Sequence, residues 1–324
     1  MINLRTGASH NWGWASGGAS ILSEFGTMQL EFEYLSVITG DPKYRNAVQK
    51  VTKLITSKPR PPDMDGLYPN YVDPNTGNWG SRDISLGALG DSFYEYLLKM
   101  WIFRGGRNSG DTTDRAPYDD AMAAVKRHLV HRASNGMLYV AEQKGQRLMH
   151  KMGHLACFTG GMFALGAKHA PTPELEKWYM ETGAGITETC YQGYHMTATH
   201  IGPEMMTFTG NRPGKTMSSR DAYYILRPEV VESYFVMWRM THEQKWRDYA
   251  WEAVEAIEKH CRCGVGYCGL KNVDQVPAQQ DDVQQSFFLA EALKYLYLIF
   301  QEDDVISLDK YVLNTEAHPI PIQK

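Results

Sequence analysis

Apolar residues at Ile21, Phe25, Met28, Phe32 and Leu35 recur every three or four positions, a spacing that predicts one helix over 20–38. Gly40-Asp41-Pro42 then ends that helix and opens the next, with Pro42 in a first-turn position where its missing N–H costs nothing. Further helices are expected over 44–55, 84–104, 115–133, 151–167, 174–194, 228–241, 243–260 and 281–300. Two stretches look extended instead. Leu67-Tyr68-Pro69-Asn70-Tyr71-Val72 runs into the turn residues Asp73-Pro74-Asn75-Thr76-Gly77, and Met137-Leu138-Tyr139-Val140-Ala141-Glu142 runs toward Gly145 as part of a hairpin. Helical hairpins alternating with small β excursions point to an all-α toroid, an inner ring of helices around a cleft with an outer ring outside. No linker divides residues 1–324, so one domain is expected, and no tight repeat suggests a solenoid.

Composition narrows the partners. With 43% hydrophobic and 22% charged residues the chain is globular rather than disordered. A net charge of -4, with no basic run, argues against nucleic acid. No stretch has the length and apolarity of a membrane span, and no signal-peptide core follows Met1-Ile2-Asn3-Leu4-Arg5. Eight Trp, 19 Tyr and 11 Phe fit an ordinary core, and they also suit a cleft in which sugar C–H faces stack on rings. Cys261, Cys263 and Cys268 match no common zinc spacing and read as thiols.

Several acids sit where solvent alone does not account for them. Glu24 and Glu31 lie seven apart, hence on one face of the expected first helix, although a solvated helix edge explains them equally well. Asp91 follows Gly87-Ala88-Leu89-Gly90, either as a helix N-cap or where backbone approaches a ligand. In Leu226-Arg227-Pro228-Glu229-Val230-Val231-Glu232-Ser233, Glu229 and Glu232 fall in the opening turn of an apolar helix. The helix dipole favours acids there, and Arg227 offers an ion pair. Glu291 interrupts apolar Phe287-Phe288-Leu289-Ala290, four residues after Phe287. Convergent acids would suit glycoside hydrolysis, which needs two carboxyls, or calcium, which takes many oxygen ligands.

Long motifs carry a resemblance over essentially the whole chain. They are Trp14-Ala15-Ser16-Gly17-Gly18 with Ser23-Glu24-Phe25-Gly26-Thr27, Leu89-Gly90-Asp91-Ser92-Phe93-Tyr94-Glu95-Tyr96-Leu97-Leu98-Lys99, and His150-Lys151-Met152-Gly153-His154-Leu155. Ile225-Leu226-Arg227-Pro228-Glu229, Asp282-Val283-Gln284-Gln285-Ser286-Phe287-Phe288-Leu289-Ala290-Glu291 and Asn314-Thr315-Glu316-Ala317-His318-Pro319 complete the set. Together they resemble the class I α-1,2-mannosidases, family 47 of the glycoside hydrolases. Met152-Gly153-His154, Asp281-Asp282-Val283-Gln284-Gln285 and Met240-Thr241-His242 lean toward the Golgi branch.

The resemblance implies an (α/α)7 barrel that removes α-1,2-linked mannose from high-mannose N-glycans with inversion and with calcium. It implies that Thr315 binds calcium through its hydroxyl and carbonyl oxygens, and that Glu24, Glu232, Glu291 and Glu316 hold calcium-bound waters and sugar hydroxyls. Glu229 resembles the general base, and Asp91 a candidate acid or water-orienting residue. Arg227 and His154 would contact sugar, with Phe287 under the terminal mannose. Cys157 and Cys190 match the family's paired cysteines, which implies an oxidising Golgi or ER lumen. In the family a membrane anchor, a stem, the first barrel helices and a further catalytic Glu in a Glu-Ser-x-x-Arg type motif precede the position of Met1. The expectation is therefore exposed apolar faces on 20–38 and 281–300 and, if translation begins at Met1, no hydrolysis by the chain as written. A non-catalytic high-mannose glycan-binding protein of the same fold is the alternative. A glucoamylase-like toroid and a helical scaffold rank below it.

Overall fold

The computed structural model describes residues 2–62, 66–109, 115–210, 212–216 and 218–323. They form two compact units, one of 1–129, 142–149 and 323–324, the other of 130–141 and 150–322.

In the first unit, α1 (Leu22–Phe25) and α2 (Gln29–Thr39) replace the single expected helix. The break falls at Gly26, where a Cβ would lie 2.5 Å from both the Leu22 carbonyl and the Phe93 ring, so only glycine lets the segments approach. Gln29 covers the interrupted backbone, accepting from the Met28 N–H and donating to the Phe25 carbonyl. Ser20–Ile21 pairs with Tyr71–Val72, which confirms an extended segment there. Gly40 closes α2 in the left-handed conformation, its N–H on the Ser36 carbonyl, and Asp41 Oδ1 accepts the Lys43 N–H that starts α3 (Lys43–Ser57). Pro42 stands one place earlier than expected, at the cap.

The centre of this unit is α4 (Asp91–Phe103), buried from Phe93 to Phe103. Residues 84–90, expected as its first turns, form a loop because Ile84 pairs in a β-bridge with Gln143. α5 (Ala116–His128) ends early, and the strand that follows it, Val130–Arg132, belongs to the second unit, where it pairs with Leu138–Val140. Glu142–Lys144 and Arg147–Met149 form the hairpin around Gly145. Phe32, Val37 and Ile38 are exposed on α2, in line with the exposed apolar face that the resemblance implied for 20–38.

In the second unit, α6 (Phe158–Lys168), α7 (Pro173–His195) and α8 (Glu229–Thr241) pack on one another. Thr172 caps α7 by accepting the Leu175 N–H, with Pro173 in its first turn. Glycines allow the close approach. A Cβ on Gly160 would fall 2.2 Å from Thr187 Oγ1, and one on Gly183 2.7 Å from the Gly160 carbonyl. Gly160→Ala is therefore expected to cost about 3 kcal/mol by overpacking, read as a lower urea midpoint. A loss under about 1 kcal/mol would show that the helices can part cheaply.

α9 (Lys245–Cys261) follows, then a π-helical turn, Phe288–Ala292, leading into α10 (Leu293–Leu298). The helix expected from 281 thus begins later, and its first regular turn is widened around Glu291. Such π turns recur at functional sites. Leu289, Leu293 and Tyr297 are exposed along one face of this helix.

Two disulfides staple this unit. Cys157–Cys190 joins the start of α6 to α7, as the resemblance implied. Cys263–Cys268 closes the short hairpin of Arg262–Cys263 and Gly266–Tyr267, which corrects the reading of both as thiols. Antiparallel pairing of that hairpin brings the two residues together, a contact their spacing alone did not disclose. Cys261 is a buried free thiol, pushed up to about 12 by burial.

Candidate active site

Glu229 is the first residue of α8, capped by Pro228 and preceded by Leu226 at φ 65. That left-handed residue turns the chain sharply, so Arg227 and Glu229 come to the same place. Glu229 Oε1 lies 3.8 Å from Arg227 Nη1, and its Oε2 lies 2.7 Å from His154 Nδ1. The carboxyl is buried, which by itself raises its pKa. The interactions with His154, its hydrogen bond first, and then the Arg227 charge outweigh burial and bring it below the ordinary glutamate value.

His154 opens a 3-10 turn, His154–Cys157, reached through the strand Lys151–Gly153, which pairs with Met205–Thr207. The ring is 2% exposed, and its Nε2 lies 2.7 Å from the Tyr194 hydroxyl. Both ring nitrogens thus face protein partners, and a sugar hydroxyl would have to displace one of them.

Arg227 is also held from the other side. Its Nε and Nη2 donate to Glu204 at 2.6 and 2.8 Å, a bidentate pair that fixes the guanidinium plane. Glu204 reaches this position because its N–H bonds the Tyr223 carbonyl and its carbonyl accepts the His154 N–H. Tyr194, Tyr224 and Glu204 were missed in the sequence. The only trace of Glu204 is a lone acid after Gly202-Pro203, and the two tyrosines look like core.

Three further acids gather near Glu229. Glu232 is one turn along α8 and buried, Glu291 sits in the π turn, and Glu316 lies in the turn between Tyr311–Leu313 and Pro319–Pro321. Glu291 is pushed up to about 10, first by burial, then by its hydrogen bond with Glu316 and the charges of Glu232, Glu316 and Glu229. The turn that carries Thr315 and Glu316 is tightly built. Asn314 Oδ1 accepts the N–H groups of Glu316 and His318 at 3.0 and 2.8 Å, and Lys294 Nζ donates to the Ala317 carbonyl at 2.9 Å. Phe287 lies immediately before the π turn, half-buried.

Among the described residues, no group of three or more His, Cys, Asp or Glu is arranged to ligate a metal directly. The donors that do gather, the Thr315 turn and several carboxylates, are all oxygen, the set a hard cation such as calcium takes.

Glu24, Glu31 and Asp91 belong to the first unit. Asp91 is the first residue of α4, its Oδ1 accepting the Ser92 N–H at 2.8 Å. Glu24 lies in α1, where Trp12 Nε1–H donates to its Oε1 at 2.5 Å. Their segments are tied together by the Ser23 N–H on the Leu89 carbonyl and by a 2.7 Å contact between the Thr27 and Ser92 hydroxyls. Glu31 stands on α2, across the Gly26 break from Glu24, and accepts from the Tyr96 hydroxyl at 2.7 Å. The two acids therefore do not share one continuous helix face.

The glycosyl hydrolase family 47 model matches residues 1–322. The chain is 54% identical over 323 residues to mannosyl-oligosaccharide α-1,2-mannosidase IA of Drosophila melanogaster, covering 100% of this chain and 47% of that protein. It is 50% identical to mannosyl-oligosaccharide 1,2-α-mannosidase IA of Sus scrofa, covering 99% of this chain and 48% of that protein. The chain thus spans about half the length of these curated relatives. The α-1,2-mannosidase from Trichoderma reesei superposes with a TM-score of 0.84 at 32% identity, over 96% of this chain and 67% of that one. That match bears out the expected (α/α)7 fold class, and with the family match and the relatives it shows that the chain belongs to glycosyl hydrolase family 47.

Proposed function

We propose that this protein hydrolyses terminal α-1,2-linked mannose from high-mannose N-glycans, by inversion and with calcium. The observation that carries the reading is the gathering of Glu229, Glu232, Glu291 and Glu316 beside Arg227 on the second unit. With Oε2 engaged by His154, Oε1 is the Glu229 oxygen that takes a proton from the attacking water. The lowered pKa suits that role, because the carboxyl is ionised at neutral pH and can accept. Arg227, held flat by Glu204, would donate to a sugar hydroxyl. Phe287 offers a ring face to the terminal mannose. The resemblance supports Asp91, on the first unit, as a candidate acid or water-orienting residue. Thr315 would hold calcium, with Glu232, Glu291 and Glu316 accepting from its waters and from sugar hydroxyls. Bound there, calcium would supply positive charge to polarise water and orient the sugar. The Cys157–Cys190 bridge supports an oxidising compartment, in line with a Golgi or ER lumen.

The test is release of free mannose from a high-mannose glycan by the calcium-loaded protein, with the product anomer read by NMR. Release of the inverted anomer, abolished by EDTA and restored by calcium, is expected. Calcium-dependent glycan binding with no release would replace this reading with a glycan-binding protein. Neither binding nor release would overturn both.

A further inference from the structure

Behind Glu229 lies a line of polar groups reaching away from the reacting side. Glu229 Oε2, the His154 ring and the Tyr194 hydroxyl are joined by two 2.7 Å hydrogen bonds. All three side chains are buried, with Tyr194 4% exposed. We propose that Tyr194 is a positioning residue for Glu229, donating to His154 Nε2 and so fixing the ring as the Nδ1–H tautomer that holds Glu229 as an ionised acceptor. This rests on the reading of Glu229 as the base.

A buried phenol has to place its proton on an acceptor. His154 Nε2 is at the distance of a strong bond. A phenol O–H is a much stronger acid than a neutral imidazole N–H, so O–H···N is the better arrangement of this pair. Burial keeps Tyr194 protonated by pushing its pKa far up. The competing acceptor is the oxygen of Tyr224, whose own hydroxyl donates to the Arg227 carbonyl at 3.2 Å.

Arg227 and Glu204 compensate one another as a bidentate pair. Cys261, which faces both tyrosines from α9, is a thiol at neutral pH and brings no charge. Glu229 is then the one acid that the ring has to serve. With Nε2 occupied as an acceptor, the ring proton sits on Nδ1 and points at Glu229. The opposite tautomer would set a ring lone pair 2.7 Å from a carboxylate oxygen. That repulsion is relieved if Glu229 or the ring takes up a further proton, and a protonated Glu229 is no base.

The experiment is 15N NMR of histidine-labelled protein at neutral pH, with the His154 signals identified by their loss in His154→Asn. The expected signature is a protonated Nδ1 and a pyridine-type Nε2. An Nε2–H tautomer, or a ring protonated on both nitrogens, overturns the proposal. Tyr194→Phe is then expected to shift the His154 Nε2 signal, because that nitrogen loses its hydrogen bond, and to lower kcat about tenfold, with KM within about twofold of the parent. An unchanged Nε2 signal in Tyr194→Phe overturns the proposal too. The spectrum needs no turnover. A protein that releases no mannose but shows the Nδ1–H ring therefore fails the functional reading alone, and the positioning of Glu229 stands.

Discussion

Glu229→Gln is expected to lower kcat for mannose release by about a thousandfold while leaving KM within a few-fold. The amide is nearly isosteric, and its oxygen can still accept from His154 Nδ1, so the 2.7 Å contact survives. What disappears is the ability to take a proton from water. The fold should tolerate the change. Glu229 is buried and its charge has to be compensated, but the partner it leaves behind, Arg227, keeps its bidentate bond to Glu204. Steady-state kinetics beside a thermal melt separate the cases. A small change in Tm with a large loss of kcat supports the assignment. Full activity in the amide variant would remove Glu229 from the role of base. A tenfold rise in KM at constant kcat would make it a sugar-binding residue instead.

How far the sequence already disclosed this site follows from the range of its interactions. Glu229 and Glu232 were legible because their peculiarity is local: two acids in the first turn of an apolar helix. The helices 174–194, 228–241 and 243–260 were legible for the same reason, since period and caps are written within a few residues. The placement of His154 was not. Its partners lie 75 and 40 residues away, and nothing in His150-Lys151-Met152-Gly153-His154 marks a ring closed in by Glu229 and Tyr194. The break between α1 and α2 also depends on a distant residue, the Phe93 ring that takes the space beside Gly26. Periodicity ran straight through that glycine because it registers apolar spacing and not the close approach of another helix. The Cys263–Cys268 bridge escaped because two-residue strands are too short to leave an alternating pattern.

The second large effect concerns the other disulfide. Removing Cys157–Cys190 by replacing both with Ser is expected to cost about 4 kcal/mol, because it frees a long loop in the unfolded chain. Tm should fall by roughly 6–10 °C. The bridge closes 33 residues, whereas Cys263–Cys268 closes 5, for which the same argument gives only about 2 kcal/mol. The two bridges differ in position as well. Cys157 ends the turn that His154 begins, its carbonyl accepts from Ser233 of α8, and Cys190 lies one turn before Tyr194 on α7. This bridge therefore ties together the two elements whose side chains meet behind Glu229. Losing it should lower kcat even at temperatures where the variant is fully folded, while the Cys263→Ser, Cys268→Ser double variant should change kcat little. Paired measurements of Tm and kcat on the two variants decide the matter. Equal losses of stability would contradict the loop-length argument. A parental kcat in the folded Cys157→Ser, Cys190→Ser variant would show that packing of Gly160 and Gly161 against α7 and α8 holds His154 in place without the covalent bond.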